Sequence, residues 1–397
     1  MVELFQILAV VQILVGLYLI FQALQWSGYA RRRLQTDPGF YAPKTAVLCP
    51  CKGMEPGLEQ NLHALCDFNH KNYEVFFIVA TESDPAVSIV KRVIAQSRVK
   101  AHLVVAGIPD GCAEKVNNLR AAIEQLPEDF EVLVFADSDG RPGKGWLQKM
   151  IGPLGNSKLG ATTTMRWFIP KAGNLASLLL AAWNAPVVTM LGENRRNFCW
   201  GGGTAIRRAI FEQIRVLDEW RGSVSDDYSL TIALERSNYP VLFLPECLTA
   251  SFVETDFAGL LEFSNRQMII TRKYWHKMWT TGFFTHVLFS FTILLGVWVT
   301  LEKLIATLPA LGLAALTFLP LLLAAIRGAL RTAAVAELLP AYRSQIMAQS
   351  WVYILLGLCV PFLYVLNFAA SLATRKIYWR GVRYEVISPQ QTRILSS

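Results

Sequence analysis

Four long hydrophobic stretches constrain this chain more than any other feature. Each lacks charged side chains and is long enough for a helix to cross a bilayer core, which takes roughly 20 residues. They cover residues 4–30, 278–301, 304–326 and 351–374. The whole chain of 397 residues is 53% hydrophobic and only 17% charged, so its apolar content exceeds what a soluble domain needs. The sequence therefore predicts an integral membrane protein.

The first stretch predicts an anchor and an orientation. It runs into Trp26 and Tyr29 and then into three consecutive arginines, Arg31–Arg33, rather than into a small-residue cleavage site. Cationic residues beside a span stay on the cytoplasmic side. We therefore expect a retained anchor at residues 1–30, a cytoplasmic domain at 31–277, and about three further spans within 278–374. The location would be the cell inner membrane or its equivalent.

The basic tail, residues 375–397, gives conflicting signals. Three spans after the domain would place it outside, whereas its arginine and lysine residues favour the cytoplasmic side. A re-entrant segment or a tail that violates the rule would each resolve the conflict. The net charge of +8 favours contact with anionic lipid, and nucleic acid is not expected because no recognition motif accompanies the scattered basic residues.

The cytoplasmic region has the pattern of an α/β domain. Apolar runs at 45–48, 73–80, 101–106 and 131–136 predict buried strands, and 57–66, 85–95 and 114–126 predict the helices between them. This alternation predicts a mostly parallel sheet. Further strands are expected at 161–168, 204–207 and 241–244. The charge-free segment 172–192 contains asparagines and a proline, so we expect an interfacial or buried helix there rather than a span.

The buried strand 131–136 ends in Asp137 and Asp139, which are separated by one residue. Two carboxylates on one loop can share Mg²⁺ or Mn²⁺, and such a cation neutralises a diphosphate as it leaves. A turn with backbone-capping aspartates is the alternative. Ligands of parallel sheets bind beyond the carboxyl ends of the strands, which favours the metal site.

Other polar residues follow the same strand ends. Lys52 follows the first strand, and Asp84 follows the second, where it can accept hydrogen bonds from a base or ribose or cap the next helix. Lys115 opens a helix where a phosphate would lie, with a solvated helix face as the alternative. The glycines Gly201–Gly203 allow close approach of a ligand to the backbone or simply form a turn.

Asp226 and Asp227 precede an apolar helix. Transfer of a group to a hydroxyl needs a base that takes its proton, and an aspartate in a cleft can do so. Capping of the helix is the alternative, more for Asp226 than for Asp227.

Taken in order, these motifs resemble family-two GT-A glycosyltransferases, most closely the ceramide glucosyltransferase-like branch with its bacterial lipid and hopanoid glycosyltransferase relatives. The likeness covers roughly residues 43–280. It implies that Asp84 holds uridine, Asp137 and Asp139 hold the metal and diphosphate, and Asp227 is the base of an inverting transfer. The nucleotide-sugar site it implies comprises Pro50, Lys52, Asp84, Lys115, Asp137, Gly202 and Gly203.

The family also has a Gln/Arg-x-x-Arg-Trp motif after the base. Arg266 and Gln267 fit its start, but Ile269 and Ile270 stand where Arg-Trp is expected. Arg272 and Trp275 either supply an equivalent cation and ring or anchor the helix at the interface. The expected diphosphate and acceptor contacts are Asp226, Arg266, Gln267, Arg272 and Trp275.

The resulting hypothesis is a membrane enzyme that transfers one hexose from a nucleotide-sugar to a lipid hydroxyl. A processive polysaccharide synthase would need a wider transmembrane conduit than about four spans provide. Transfer to polyprenyl phosphate is a second alternative. A membrane scaffold or transporter is the non-enzymatic one, although transporters tend to carry ionisable residues in their spans, where this chain has almost none.

Overall fold

The computed structural model describes residues 1–194, 197–306 and 308–396. The chain forms two compact units. The first, here called the helical unit, comprises residues 1–31, 170–189 and 253–374. The second, the sheet unit, comprises residues 32–169, 190–252 and 375–397.

The elements follow one another in chain order. The helices are α1 (Val2–Leu34), α2 (Leu58–Leu65), α3 (Ala86–Gln96), α4 (Glu114–Glu124), α5 (Trp146–Ile151), α6 (Leu175–Asn184), α7 (Arg208–Gln213), α8 (Val216–Trp220), α9 (Asp226–Arg236), α10 (Phe257–Tyr274), α11 (His276–Ile305), α12 (Leu311–Leu338), α13 (Arg343–Ala348), α14 (Ser350–Ile354) and α15 (Val360–Ala373). The strands are β1 (Thr45–Pro50), β2 (Tyr73–Val79), β3 (Ala101–Val105), β4 (Val132–Ala136), β5 (Ala161–Thr163), β6 (Arg166–Pro170), β7 (Gly203–Arg207), β8 (Val241–Phe243), β9 (Thr249–Val253), β10 (Lys376–Trp379), β11 (Val382–Ser388) and β12 (Gln391–Ser396).

A seven-stranded sheet forms the core of the sheet unit, in the order β3-β2-β1-β4-β7-β5-β8. The pairs β3-β2, β2-β1, β1-β4 and β5-β8 are parallel, and β7 is antiparallel to both neighbours. The predicted α/β class with a mostly parallel sheet is confirmed. Central strands such as β4 are apolar throughout because both of their faces are buried.

The direction of β7 decides where its first residues lie. Because β7 is antiparallel to β4, its start at Gly203 pairs with Ala136 at the end of β4. The loop that precedes β7 therefore reaches the same sheet edge as the carboxyl ends of β1, β2 and β4.

One predicted strand is divided in two. The prediction of a single strand at 161–168 is wrong, because β5 joins the large sheet whereas β6 pairs with β9 in a separate two-stranded sheet. The chain turns at Thr164, whose backbone N–H donates to the Gly203 carbonyl at 2.9 Å and whose hydroxyl donates to the Leu244 carbonyl at 3.0 Å.

The tail forms a three-stranded antiparallel sheet, β10-β11-β12, within the sheet unit. Arg380 and Gly381 make the two-residue turn between β10 and β11, both with positive φ (48° and 88°), as a tight hairpin requires. The sheet is fixed by hydrogen bonds: the Glu114 N–H donates to the Tyr384 hydroxyl at 3.3 Å, and the Thr392 hydroxyl donates to the Gly222 carbonyl at 2.8 Å. The tail is thus an integral layer of the sheet unit.

The helical unit contains three helices that are long and apolar enough to cross a membrane: α1, α11 and α12. Phe5 of α1 is fully buried and packs with Leu295 and Val299 of α11 and Leu313 of α12. The predicted span 304–326 begins too early and ends too early, since α12 covers Leu311–Leu338 and includes two arginines that a charge-free criterion excludes. The fourth predicted span, 351–374, is two helical segments, Ser350–Leu358 and Val360–Ala373, bent by 61°.

The segment 172–192 also belongs largely to the helical unit. Its helix α6 buries Trp183, whose indole N–H donates to the Asn367 side chain of α15 at 3.0 Å. The Asn367 amide in turn donates to Ser264 and Asn265 of α10, each at 2.9 Å. Buried amides and indoles need such partners, so this polar network determines how α6, α10 and α15 pack.

The composition of the sheet unit predicts the membrane topology of the chain. The sheet unit includes both the strands 45–136 and the tail, so the two must lie on one side of a membrane. With α1, α11 and α12 crossing, the bent pair α14–α15 must then enter and leave on the same side. We predict that a membrane-impermeant maleimide labels Ile108→Cys and Arg383→Cys from one side, and Leu311→Cys, between α11 and α12, from the other.

The labelling uses a Cys359→Ser background, since the other six cysteines are buried. The three test positions are all exposed, so differences in labelling report the side of the membrane rather than local burial. Labelling of Arg383→Cys together with Leu311→Cys would contradict this topology and would mean that the bent pair crosses.

Candidate active site

Lys115 links the two acidic pairs that the sequence singled out. Its ammonium lies 2.8 Å from an Asp137 carboxylate oxygen and 3.4 Å from Asp226. Asp137 follows β4, and Asp226 begins α9, 89 residues later by numbering (226 − 137). Burial opposes the charged ammonium, but the Asp137 and Asp226 charges raise the pKa of Lys115 above its ordinary value. The cation thus holds the strand end and the helix start in one site.

Arg166 is the second cation at the aspartate pair, and no sequence motif pointed to it. Its guanidinium lies 2.5 Å from Asp139 and 3.9 Å from Asp137. Burial disfavours ionised Asp137, but Lys115 and Arg166 more than offset this and hold the pKa of Asp137 below its usual value. Residue 166 opens β6, which pairs outside the large sheet, so sequence spacing does not connect it with Asp139.

The chemistry of this pair fits a divalent cation. The Oδ1 atom of Asp139 is buried and has no hydrogen-bond partner among the described residues. Within those residues no group of three or more His, Cys, Asp or Glu side chains is placed to hold a metal. A cation bound by Asp137 and Asp139 would therefore take its other ligands from donor phosphates and water, as Mg²⁺ commonly does in phosphate sites.

The three glycines before β7 lie against these acids. A Cβ at Gly201 would overlap Asp226 and come within 2.8 Å of the Lys115 ammonium, and one at Gly202 would overlap Asp137. At Gly203 a Cβ would overlap Thr164. The close approach to the glycine backbone is thus made by Asp137, Asp226 and Lys115 rather than by a ligand. These side chains fit there because glycine has no Cβ atom.

Asp226 and Asp227 have different surroundings at the start of α9. Ser225 is the N-cap, accepting from the Tyr228 N–H at 3.2 Å. Asp226 is 5% exposed, and burial raises its pKa to about 6 although Lys115 acts in the opposite direction. Asp227 is only partly buried; one oxygen accepts from the Tyr228 N–H at 2.8 Å and the other from the Gly201 N–H at 3.3 Å. Asp227 is therefore oriented by two backbone groups and by the Ser225 hydroxyl, which also donates to it, and the residue remains partly exposed.

Asp84 bridges two loops at the strand edge. Its Oδ1 accepts from the backbone N–H groups of Gly53 and Ala86, both at 2.8 Å. The predicted capping of the following helix is therefore present, and the same carboxylate also fixes the loop after β1, in which Pro50 ends the strand and Lys52 pairs with Glu114 at 2.5 Å.

The C-terminal hairpin adds a residue that the sequence analysis missed. Arg380 donates to the Lys52 carbonyl at 3.1 Å and forms an ion pair with Glu55. Glu55 accepts in turn from the hydroxyl of Ser138, which lies between Asp137 and Asp139 in the chain, at 2.8 Å. A usable signal was present: alternating apolar residues at 382, 384 and 386 after an Arg-Gly pair predict a hairpin.

The residues predicted to contact the diphosphate and the acceptor after Asp227 lie on α10 and its junction with α11, in the helical unit. Arg266 pairs with Glu262 at 3.6 Å and lies over the Phe263 ring. The Gln267 carbonyl accepts the Thr271 hydroxyl at 2.8 Å. Arg272 donates to the Ser371 carbonyl of α15 at 2.5 Å, and Trp275 separates α10 from α11. Arg272 thus binds two helices of this unit together.

One curated protein is similar to part of this chain. Among curated proteins, ceramide glucosyltransferase 1 of Caenorhabditis elegans is 27% identical over 129 residues, covering 31% of this chain and 28% of the relative's length. The match therefore spans little more than a quarter of that relative.

Two solved structures are more distant. A mannosyltransferase of Pyrobaculum calidifontis, in complex with GDP-Man and Mn²⁺, is 15% identical, with 93% of this chain and 98% of that chain covered and a TM-score of 0.49. GalNAc-T7 with UDP, GalNAc and Mn²⁺ is 11% identical, with 61% and 50% covered and a TM-score of 0.41.

The family model covers nearly the entire sequence. The model described as glycosyl transferase family 21 matches residues 5–392, so it includes both the sheet unit with its acidic site and the candidate spans. Together with the ceramide glucosyltransferase relative, this match confirms the predicted resemblance to ceramide glucosyltransferases. It shows that the chain is a glycosyltransferase. The chain belongs to glycosyl transferase family 21.

Proposed function

We propose that the enzyme transfers a single hexose from a UDP-sugar to the hydroxyl of a membrane lipid such as a ceramide, diacylglycerol or hopanoid, with inversion. The observation that carries the proposal is the contact of Lys115 with both Asp137 and Asp226. It gathers a phosphate-binding strand end and a candidate base into one site, which is what a sugar transfer needs.

Donor binding would use the strand edge. Asp84 would accept hydrogen bonds from the nucleoside through the oxygen that the backbone leaves free, and Asp137 and Asp139 would hold Mg²⁺ or Mn²⁺. When bound, such a cation neutralises the diphosphate as it leaves. Lys115 and Arg166 are partly buried cations at the same place, where fixed charges stabilise developing negative charge without reorganisation.

Transfer would use Asp227. Its carboxylate takes the proton of the acceptor hydroxyl while the oxygen attacks the anomeric carbon and the bond to the diphosphate breaks. One displacement inverts the configuration at that carbon. The backbone N–H groups of Gly201 and Tyr228 support this role, because they fix the carboxylate without covering it.

The membrane setting supports a lipid acceptor. Three candidate spans belong to the same chain as the acidic site. The arginines Arg31–Arg33 at the end of α1 support a cytoplasmic site, because cationic residues beside a span stay on that side. The alternatives differ in measurable ways: a synthase makes polymers, and a polyprenyl phosphate acceptor is already ionised and has little need of a base.

The first prediction concerns Asp227→Asn. In membranes supplied with UDP-sugars and Mn²⁺, the wild type consumes one donor and makes a glycolipid, while Asp227→Asn lowers turnover by about 100-fold or more because no base remains. UDP binding is retained. Asp67→Asn, on an exposed surface, is the matched control and stays active.

Each other outcome rejects part of the proposal. Full activity of Asp227→Asn would remove Asp227 as base, and polymeric products would favour a processive synthase. If no nucleotide-sugar is bound or turned over with either cation, the site does not perform sugar transfer.

The second prediction concerns Arg380, which we propose positions the loop after β1 for the donor. Arg380→Ala should raise the KM for the donor about tenfold with a much smaller change in kcat, because a charge-assisted hydrogen bond to that loop is lost. Arg380→Lys should restore part of the affinity. Arg383→Ala, an exposed arginine of the same hairpin, is the control. Equal KM values for both alanine variants would contradict this role.

A further inference from the structure

Helix α12 carries two arginines, Arg327 and Arg331, in the middle and second half of a candidate span. Four residues apart, they lie on one face of the helix, a turn from each other. Arg331 is only 4% exposed. Arginine keeps its charge inside proteins, so this face of α12 brings a positive charge into the packed interior of the helical unit.

The described part of the chain provides no counter-ion for this pair. Neither guanidinium has an ion pair or hydrogen bond there, and the Nε of Arg331 is buried without a partner. The single carboxylate of α12, Glu337, pairs with Arg31 at 2.9 Å.

The other helices of this unit carry aromatic groups that contact one another. His286 of α11 stacks on Tyr364 of α15 with ring centroids 4.5 Å apart, and the Tyr364 hydroxyl donates to the Trp183 carbonyl at 3.1 Å. Neither His286 nor Tyr364 carries a carboxylate that could serve as a counter-ion.

A buried guanidinium without an anion is strongly unfavourable, and within a membrane it marks a functional group. An arginine near a helix end often extends its head to the aqueous interface, but the burial of Arg331 excludes that for this residue. Glu337 and Arg31, with Arg31 largely exposed, mark the polar end of α12. Arg331 precedes Glu337 by six residues, about 9 Å along the helix. Arg327 is only partly buried, so a headgroup phosphate can approach the pair from the side of Arg327.

We propose that Arg327 and Arg331 bind the phosphate of a membrane phospholipid at the polar end of α12. Guanidinium groups match phosphate with paired hydrogen bonds, and two of them one turn apart can share its oxygens. The pair belongs to the helical unit and the acidic residues Asp137, Asp139, Asp226 and Asp227 to the sheet unit, and a test of phosphate binding does not depend on the proposed acceptor.

The test uses the full chain in detergent after removal of bound lipid. Phosphatidylglycerol should bind in native mass spectrometry and raise Tm, whereas diacylglycerol with the same acyl chains and inorganic phosphate should not. Arg331→Gln should weaken phosphatidylglycerol binding about tenfold or more, Arg327→Gln should weaken it too, and Arg331→Lys should retain part of it. Arg343→Gln, with the same charge change at an exposed position, should bind as the wild type does.

Arg331→Leu separates a lipid site from a merely strained charge. Without a bound anion, removal of an uncompensated buried charge raises Tm whether or not lipid is present, and that result would overturn the proposal. With the site, Arg331→Leu loses the rise in Tm that phosphatidylglycerol gives. Equal stabilisation by inorganic phosphate or by diacylglycerol would also overturn it. If the Gln variant does not fold, the wild-type lipid comparison and Arg331→Lys still decide.

Discussion

The contact of Lys115 with Asp137 and Asp226 is the interaction on which the acidic site depends. Four carboxylates near one sheet edge would repel one another and resist burial without a cation among them. Lys115 supplies that cation, and Gly201 and Gly202 leave the space in which it meets both acids. As a result, the end of β4, which suits a diphosphate, and the start of α9, which suits a base, belong to one site.

The same rule of charge compensation distinguishes the two units. In the sheet unit, the acids and cations of the candidate site are paired: Lys115 and Arg166 with the aspartates, Arg380 with Glu55. In the helical unit, buried polar groups such as Asn367 find neutral partners, but Arg331 finds none among the described residues. The contrast therefore lies in whether a charged side chain has a partner, and Arg331 of the helical unit is the exception.

Much of the fold followed from the sequence because its signals are local. Buried strands, the helices between them and the first and second spans have distinct apolar patterns, and the acids at strand ends follow from parallel topology. Arg166 and Arg380 could not be found in this way, since their partners Asp139 and Glu55 are distant in sequence and lie next to them only through β6 and the tail hairpin. Arg327 was missed for another reason: a charge-free criterion ended the predicted span one residue before it.

The central claim is that Asp137 and Asp139 hold a cation against a nucleotide diphosphate. Calorimetric titration of the full chain in lipid nanodiscs with UDP, with and without Mn²⁺, tests it most directly. The account predicts that Mn²⁺ strengthens UDP binding to the wild type and that Asp139→Asn abolishes the strengthening, whereas Asp67→Asn leaves it unchanged. UDP binding that is indifferent to both Mn²⁺ and Asp139, or the absence of any nucleotide binding, would contradict the account.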